Sequence, residues 1–115
     1  MSITRHEISQ TMSKVVEHNG VVYVAGLTAD DTSVGMKEQT EQILAKIDSY
    51  LAMAGSNKSK LLTATIYITD MTQKATMNEA WHAWVDPSNP STRACVSVEL
   101  GNAQTLVEIV VNAAK

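Results

Sequence analysis

The chain has 115 residues, 44% of them hydrophobic, and carries a formal net charge of −3 with a pI near 5.5. That is enough sequence for one buried core and too little for two, so a single domain over residues 1–115 is expected. The acidic balance and the scattering of the nine Lys and Arg exclude a general attraction to phosphate backbones or anionic lipid, so neither nucleic acid nor membrane is an expected partner.

The first structural signal is a hairpin. Val21-Val22-Tyr23-Val24-Ala25 is rich in strand formers, residues 13–18 supply a partner, and Asn19-Gly20 between them is a turn signature. Gly26 then leads into a polar loop over residues 28–33 with several candidates for a helix N-cap. From 34 to 54, Met36, Ile43, Leu44, Ile47, Leu51 and Ala54 recur at three- and four-residue steps, and Gly55 follows as a C-terminal stop. Lys37, Glu38, Glu41, Gln42, Lys46 and Asp48 on the other face read as solvated charge.

Leu62, Ala64, Ile66 and Ile68 alternate with Thr63, Thr65, Tyr67 and Thr69, which predicts a strand with one apolar and one hydroxyl-rich face. The hydroxyl face suits either solvent or a wet subunit interface. A second helix over residues 72–85 presents Met77, Trp81, Trp84 and Val85 as one stripe, and Asp86-Pro87-Ser88-Asn89-Pro90 ends it. Two strands close the chain, one around Arg93 to Val98 and one around Leu106 to Val111, and they are expected to form a hairpin. The order predicts an α+β fold in which two helices pack on one face of a mixed β-sheet, with another copy of the chain covering the other face.

Those last strands carry the chemistry. Each places one charge in an otherwise apolar run, and buried charge is costly without a partner. Arg93, Cys95 and Ser97 share a face; Ala94, Val96 and Val98 share the other, which reads as core. Whether Glu108 joins the Arg93 face depends on register: opposed residues whose numbers sum to an odd value put both charges together. A fixed Arg suits a small carboxylate, because its guanidinium makes two parallel charge-assisted hydrogen bonds. A nearby Glu can take a proton from water and return it to a leaving nitrogen. The alternative is a structural Arg93–Glu108 ion pair at a subunit interface.

Cys95 is the only cysteine, which rules out an intrachain disulfide and favours a reducing cytoplasm. It reads as a small hydrophobe rather than a nucleophile. Residues 1–10 are polar, without the apolar core of a signal peptide, and no segment approaches the roughly 20 apolar residues of a membrane span. His6, His18 and His82 have no metal-ligand spacing, and no glycine-rich phosphate loop is evident; no metal and no cofactor are expected.

With these residues in view, the chain resembles the RidA (YjgF) family of reactive intermediate deaminases. The resemblance spans nearly the whole length and rests on Asn19-Gly20-Val21-Val22-Tyr23-Val24-Ala25-Gly26, Ala54-Gly55, Thr69-Asp70-Met71, Met77-Asn78-Glu79-Ala80-Trp81, and above all Pro90-Ser91-Thr92-Arg93-Ala94-Cys95-Val96 with Glu108. It implies a chorismate-mutase-like fold, a homotrimer with pockets between subunits, and hydrolysis of 2-imino acids and their enamine tautomers, such as 2-aminoacrylate and 2-iminopropanoate, to 2-oxo acids and ammonia. It further implies that Arg93 binds the substrate carboxylate, that Glu108 positions or activates water, and that Cys95, Ala25, Gly26 and Asn78 line the substrate site. Met12 and Ala25 stand where many members carry hydroxyl-bearing residues, which bears on substrate range. A trimeric binding protein that holds a small carboxylate or 2-oxo acid without turnover is the competing expectation. RNA cleavage ranks last on the acidic balance.

Overall fold

The computed structural model describes residues 2–115, so Met1, the first residue of the expected domain, lies outside the description. Strands β1 (Thr4–Ile8), β2 (Ser13–His18) and β3 (Val21–Val24) lead to helix α1 (Met36–Met53), then β4 (Leu61–Ile68), helix α2 (Lys74–Trp84), β5 (Thr92–Ser97) and β6 (Val107–Ala114). The strands form one mixed sheet in the order β1-β2-β3-β6-β4-β5.

The predicted hairpin is present. Asn19 and Gly20 take left-handed φ values of 52° and 77°, as a two-residue turn between strands of right-handed twist requires. β1, which pairs antiparallel with β2, was not foreseen. It is an edge strand that is exposed apart from a half-buried His6, so it needs only the backbone ladder and leaves no apolar alternation to read.

In α1, Met36, Ile43, Leu44, Ile47 and Leu51 are all buried, as their spacing predicts. The helix ends in a Schellman motif: Gly55 N–H donates to Ala52 O, Ser56 N–H donates to Leu51 O, and Gly55 has φ 76°. In α2, Met77 and Trp81 are buried, whereas Trp84 is only half-buried and donates its indole N–H to Asp48 of α1 at 3.0 Å. β4 departs from strict alternation at its start, where a register shift between Leu61 and Thr63 turns Leu61 into the core and Leu62 outward. Ala64, Ile66 and Ile68 then face inward as predicted.

Both helices join the inward residues of β2, β3, β4 and β6 in one apolar cluster on a single face of the sheet. Val107, Ile109, Val111 and Ala113 are buried on that face, and the intervening residues of β6 are half-buried. A strand with an unbroken buried row on one side gains most from neighbours on both edges. β6 accordingly sits between β3 and β4, and the expected closing hairpin does not form. β5 instead runs parallel to β4 at the edge, with β4 separating it from β6. No helix covers the opposite face of the sheet among the described residues, and Tyr23 (48%) and Val96 (38%) are exposed on it. Val96, expected in the core, therefore stands on the uncovered side.

Candidate active site

The register of β4 with its two neighbours fixes where the charged residues point. Arg93 and Val111 both stand opposite Ala64, while Val96 and Glu108 both stand opposite Tyr67. Directly opposed residues share a face, so Arg93 and Cys95 lie on the helix side and Glu108 on the uncovered side. Parity counted between β5 and β6 has no meaning when β4 lies between them. The two charges of one chain therefore do not open onto one cleft. The ion pairs among the described residues join His6 to Glu17, Lys46 to Asp30 and Lys115 to Glu17, so Arg93 and Glu108 are not an intrachain pair.

On the helix side, Arg93 is half-buried at the sheet edge, where its Nη1 donates to Asn78 Oδ1 at 2.7 Å. Its guanidinium carbon lies 5.7 Å from the centre of the Trp81 ring, within cation–π range. Asn78 and Trp81 are three residues apart on α2 and so share one side of that helix. They hold the guanidinium from two directions and leave its other N–H groups available for a planar anion. Sequence reasoning assigned Trp81 to the core alone; it is 5% exposed and also floors Arg93. Cys95 is half-buried, packs against the apolar cluster on this same face, and is free.

Both ends of α2 are pinned by carboxylates. The Thr72 hydroxyl and amide donate to Asp70 and hold its carboxyl below the ordinary carboxylate range. At the other end Asn89, Ser59 and the Ser88 amide donate to Asp86 and hold it at about 2. The contacts of Asp86 fold the start of the loop that leads into β5 and tie it to Ser59.

On the uncovered side, half-buried Glu108 lies across from Tyr67 on β4 and against Gly26 beyond β3. Leu27 and Ile109 exchange both backbone hydrogen bonds at 3.0 Å, which draws the chain after β3 onto β6. A Cβ placed on Gly26 would stand 2.5 Å from Glu108 Oε2. Glycine at 26 is thus what lets the carboxylate rest on the backbone. The Ala25 amide donates to Lys14 O at 2.9 Å and is spent in the sheet. Met12 is exposed on the turn between β1 and β2.

Arg93, Cys95 and Asn78 are brought together on one face, and Glu108, Gly26 and the neighbouring Ala25 on the other. Sequence reasoning also missed Gln39, fully buried within α1, which donates to Val34 O and Gln104 O and accepts from Leu106 N–H. The signal was legible: Gln39 falls between Met36 and Ile43 on the apolar stripe, where a polar side chain needs internal partners.

The family model described as Endoribonuclease L-PSP matches residues 4–115. A RutC family protein of Haemophilus ducreyi is 41% identical over 112 residues, covering 97% of this chain and 96% of that protein. Among solved structures, a YjgF family member from Neisseria meningitidis superposes with a TM-score of 0.95 at 37% identity, covering 100% of this chain and 96% of that one. An uncharacterised protein from Pseudomonas aeruginosa reaches 0.96 at 33% identity, with 99% of both chains covered. The match of a six-stranded mixed sheet with two helices therefore runs the full length of the fold, and the chain belongs to the YjgF family, whose members also carry the names RutC and Rid.

Proposed function

We propose that this protein hydrolyses small 2-imino acids, and the enamines in equilibrium with them, to 2-oxo acids and ammonia at sites closed between copies of the chain in a homotrimer. The observation that carries the reading is the division of the polar groups between the two faces of one sheet. Arg93, braced by Asn78 and Trp81, sits at the β5 edge, and Glu108 sits on a face that no helix covers among the described residues. A second copy packed on that face brings its own β5 edge to Glu108 and also buries Tyr23 and Val96.

In such a site Arg93 of one copy holds the substrate carboxylate in a bidentate grip, which stays charged through the reaction. Glu108 of the next copy takes a proton from water as the water oxygen adds to the imine carbon. The C=N electron pair moves to nitrogen, which takes up a proton from solvent. Glu108 then returns its proton to that nitrogen, the C–N bond breaks as the hydroxyl of the tetrahedral intermediate loses its proton to solvent, and ammonia and the 2-oxo acid remain. Cys95 lies close to Arg93 on the same strand and lines the wall of the carboxylate end.

Mixing variants tests the reading. Arg93→Ala and Glu108→Gln should each abolish ammonia release from freshly generated 2-iminopropanoate. Refolded together in equal amounts they should recover activity in about a quarter of the sites, since each site needs one intact residue from each of two copies. A mixture that stays inactive while the parent protein is active would place both residues in one chain's site. Calorimetric binding of 2-oxo acids by a protein that does not accelerate imine decay would favour the binding-protein reading. RNA cleavage, which the family model's description favours, predicts degradation of single-stranded RNA that Arg93→Ala or Glu108→Gln abolishes.

A further inference from the structure

Residues 98–106 carry the chain from β5 to β6 past the end of β4, and this connection is held from both sides. Within it, Asn102 Oδ1 accepts from the Gln104 amide at 3.1 Å, the Thr105 amide at 2.9 Å and the Thr105 hydroxyl at 3.0 Å. From α1, Gln39 donates to Gln104 O at 2.9 Å and accepts from Leu106 N–H at 3.0 Å. Against this connection lies a cavity of about 350 Å³ lined by Thr69, Val98, Glu99, Leu100, Asn102 and Ala103.

The cavity lies beyond the ends of β4 and β5, the strands that carry Tyr67 and Val96 level with Glu108. The Thr69 amide donates to Leu106 O and the Val98 amide to Ile68 O, so the pleat continues past the ends of β4 and β5. At a period of two, Thr69 and Val98 then stand on the same face as Tyr67 and Val96, the residues level with Glu108. Two residues along a strand span about 7 Å, which is the distance along β4 and β5 from the level of Glu108 to Thr69 and Val98.

We infer that this cavity receives the side chain of the imino acid, and that it selects an apolar chain longer than ethyl without a terminal carboxylate. The inference rests on the deaminase reading and adds its substrate class. The volume is that of a small-molecule pocket and far exceeds what a methyl group fills. Val98, Leu100 and Ala103 offer apolar contact, and the exposed Glu99 repels an anionic tip.

The test compares imines made in situ by an amino acid oxidase from norleucine, alanine and glutamate. Ala103→Phe fills the cavity and should lower the norleucine-to-alanine ratio of kcat/KM by about tenfold, the scale on which apolar pockets discriminate. Leu100→Ala should lower the same ratio by removing contact, and Glu99→Gln should raise the relative kcat/KM of the glutamate-derived imine. Ratios unchanged in all three variants, with turnover retained, overturn the pocket and leave the deaminase reading standing. If the unmodified protein releases no ammonia from any imine beyond the spontaneous rate, the deaminase reading falls and the pocket with it.

Discussion

Gly26→Ala is the sharpest probe of the proposed chemistry, because the structure sets what an added methyl group meets. The new Cβ stands 2.5 Å from Glu108 Oε2, 3.1 Å from its Cδ and 3.4 Å from Val110 Cγ2. To restore ordinary contact at 3.4 Å the carboxylate oxygen has to retreat by about 0.9 Å. Gly26 has no left-handed φ, so alanine takes up the backbone there without strain. The obstructing atoms are the end of a flexible side chain, which swings away at little cost. Stability should therefore change by no more than about 1 kcal/mol, measured by chemical denaturation. Turnover should fall about a hundredfold, because a misplacement near 1 Å at the reacting group costs that much. The assay is ammonia release from freshly generated 2-iminopropanoate. Wild-type turnover in Gly26→Ala would refute the assignment of Glu108 at this position.

Two further predictions concern the scaffold. Gln39→Leu strands the Leu106 N–H and the Gln104 carbonyl, each at about 1–3 kcal/mol, and should lower the melting temperature by several degrees; an unchanged value would refute the role given to this side chain. Asp86 is held at about 2 against its ordinary value near 3.8, so its contribution to stability is present above roughly pH 4 and lost as pH falls towards 2. The melting-temperature gap between the parent protein and Asp86→Asn should accordingly be full at neutral pH and close between pH 4 and 2. A gap that persists at the acid end would show that the contacts of Asp86 do not depend on its charge.

The local readings held wherever a periodic pattern met a one-sided environment. α1 and α2 each bury one stripe, the Asn19-Gly20 turn fixes its own hairpin, and the inward face of β4 alternates from Ala64 onward. They failed at β1, whose sides are both largely exposed, at Leu62, which a bulge turns outward, and at β5, where Ala94 and Val96, expected in the core, stand on the uncovered face because Arg93 and Cys95 take the helix side. Arg93, Cys95 and Glu108 were singled out from residue type, and Asn78 and Gly26 through the family resemblance. Gln39 carried a readable signal as a polar residue on an apolar stripe.

The chain by itself determined the α+β class, the two amphipathic helices, the family, and the isolated charges of its last two strands. Strand order was beyond it, because pairing partners far apart in sequence are chosen by burial and packing in the whole sheet and not by any local pattern. β6, with every second residue buried along its whole length, took the centre and β5, carrying Arg93, took the edge. That one choice sent Arg93 and Glu108 to opposite faces of the sheet. Only the tertiary structure decides this, since the face of a side chain depends on the strand placed between its neighbours.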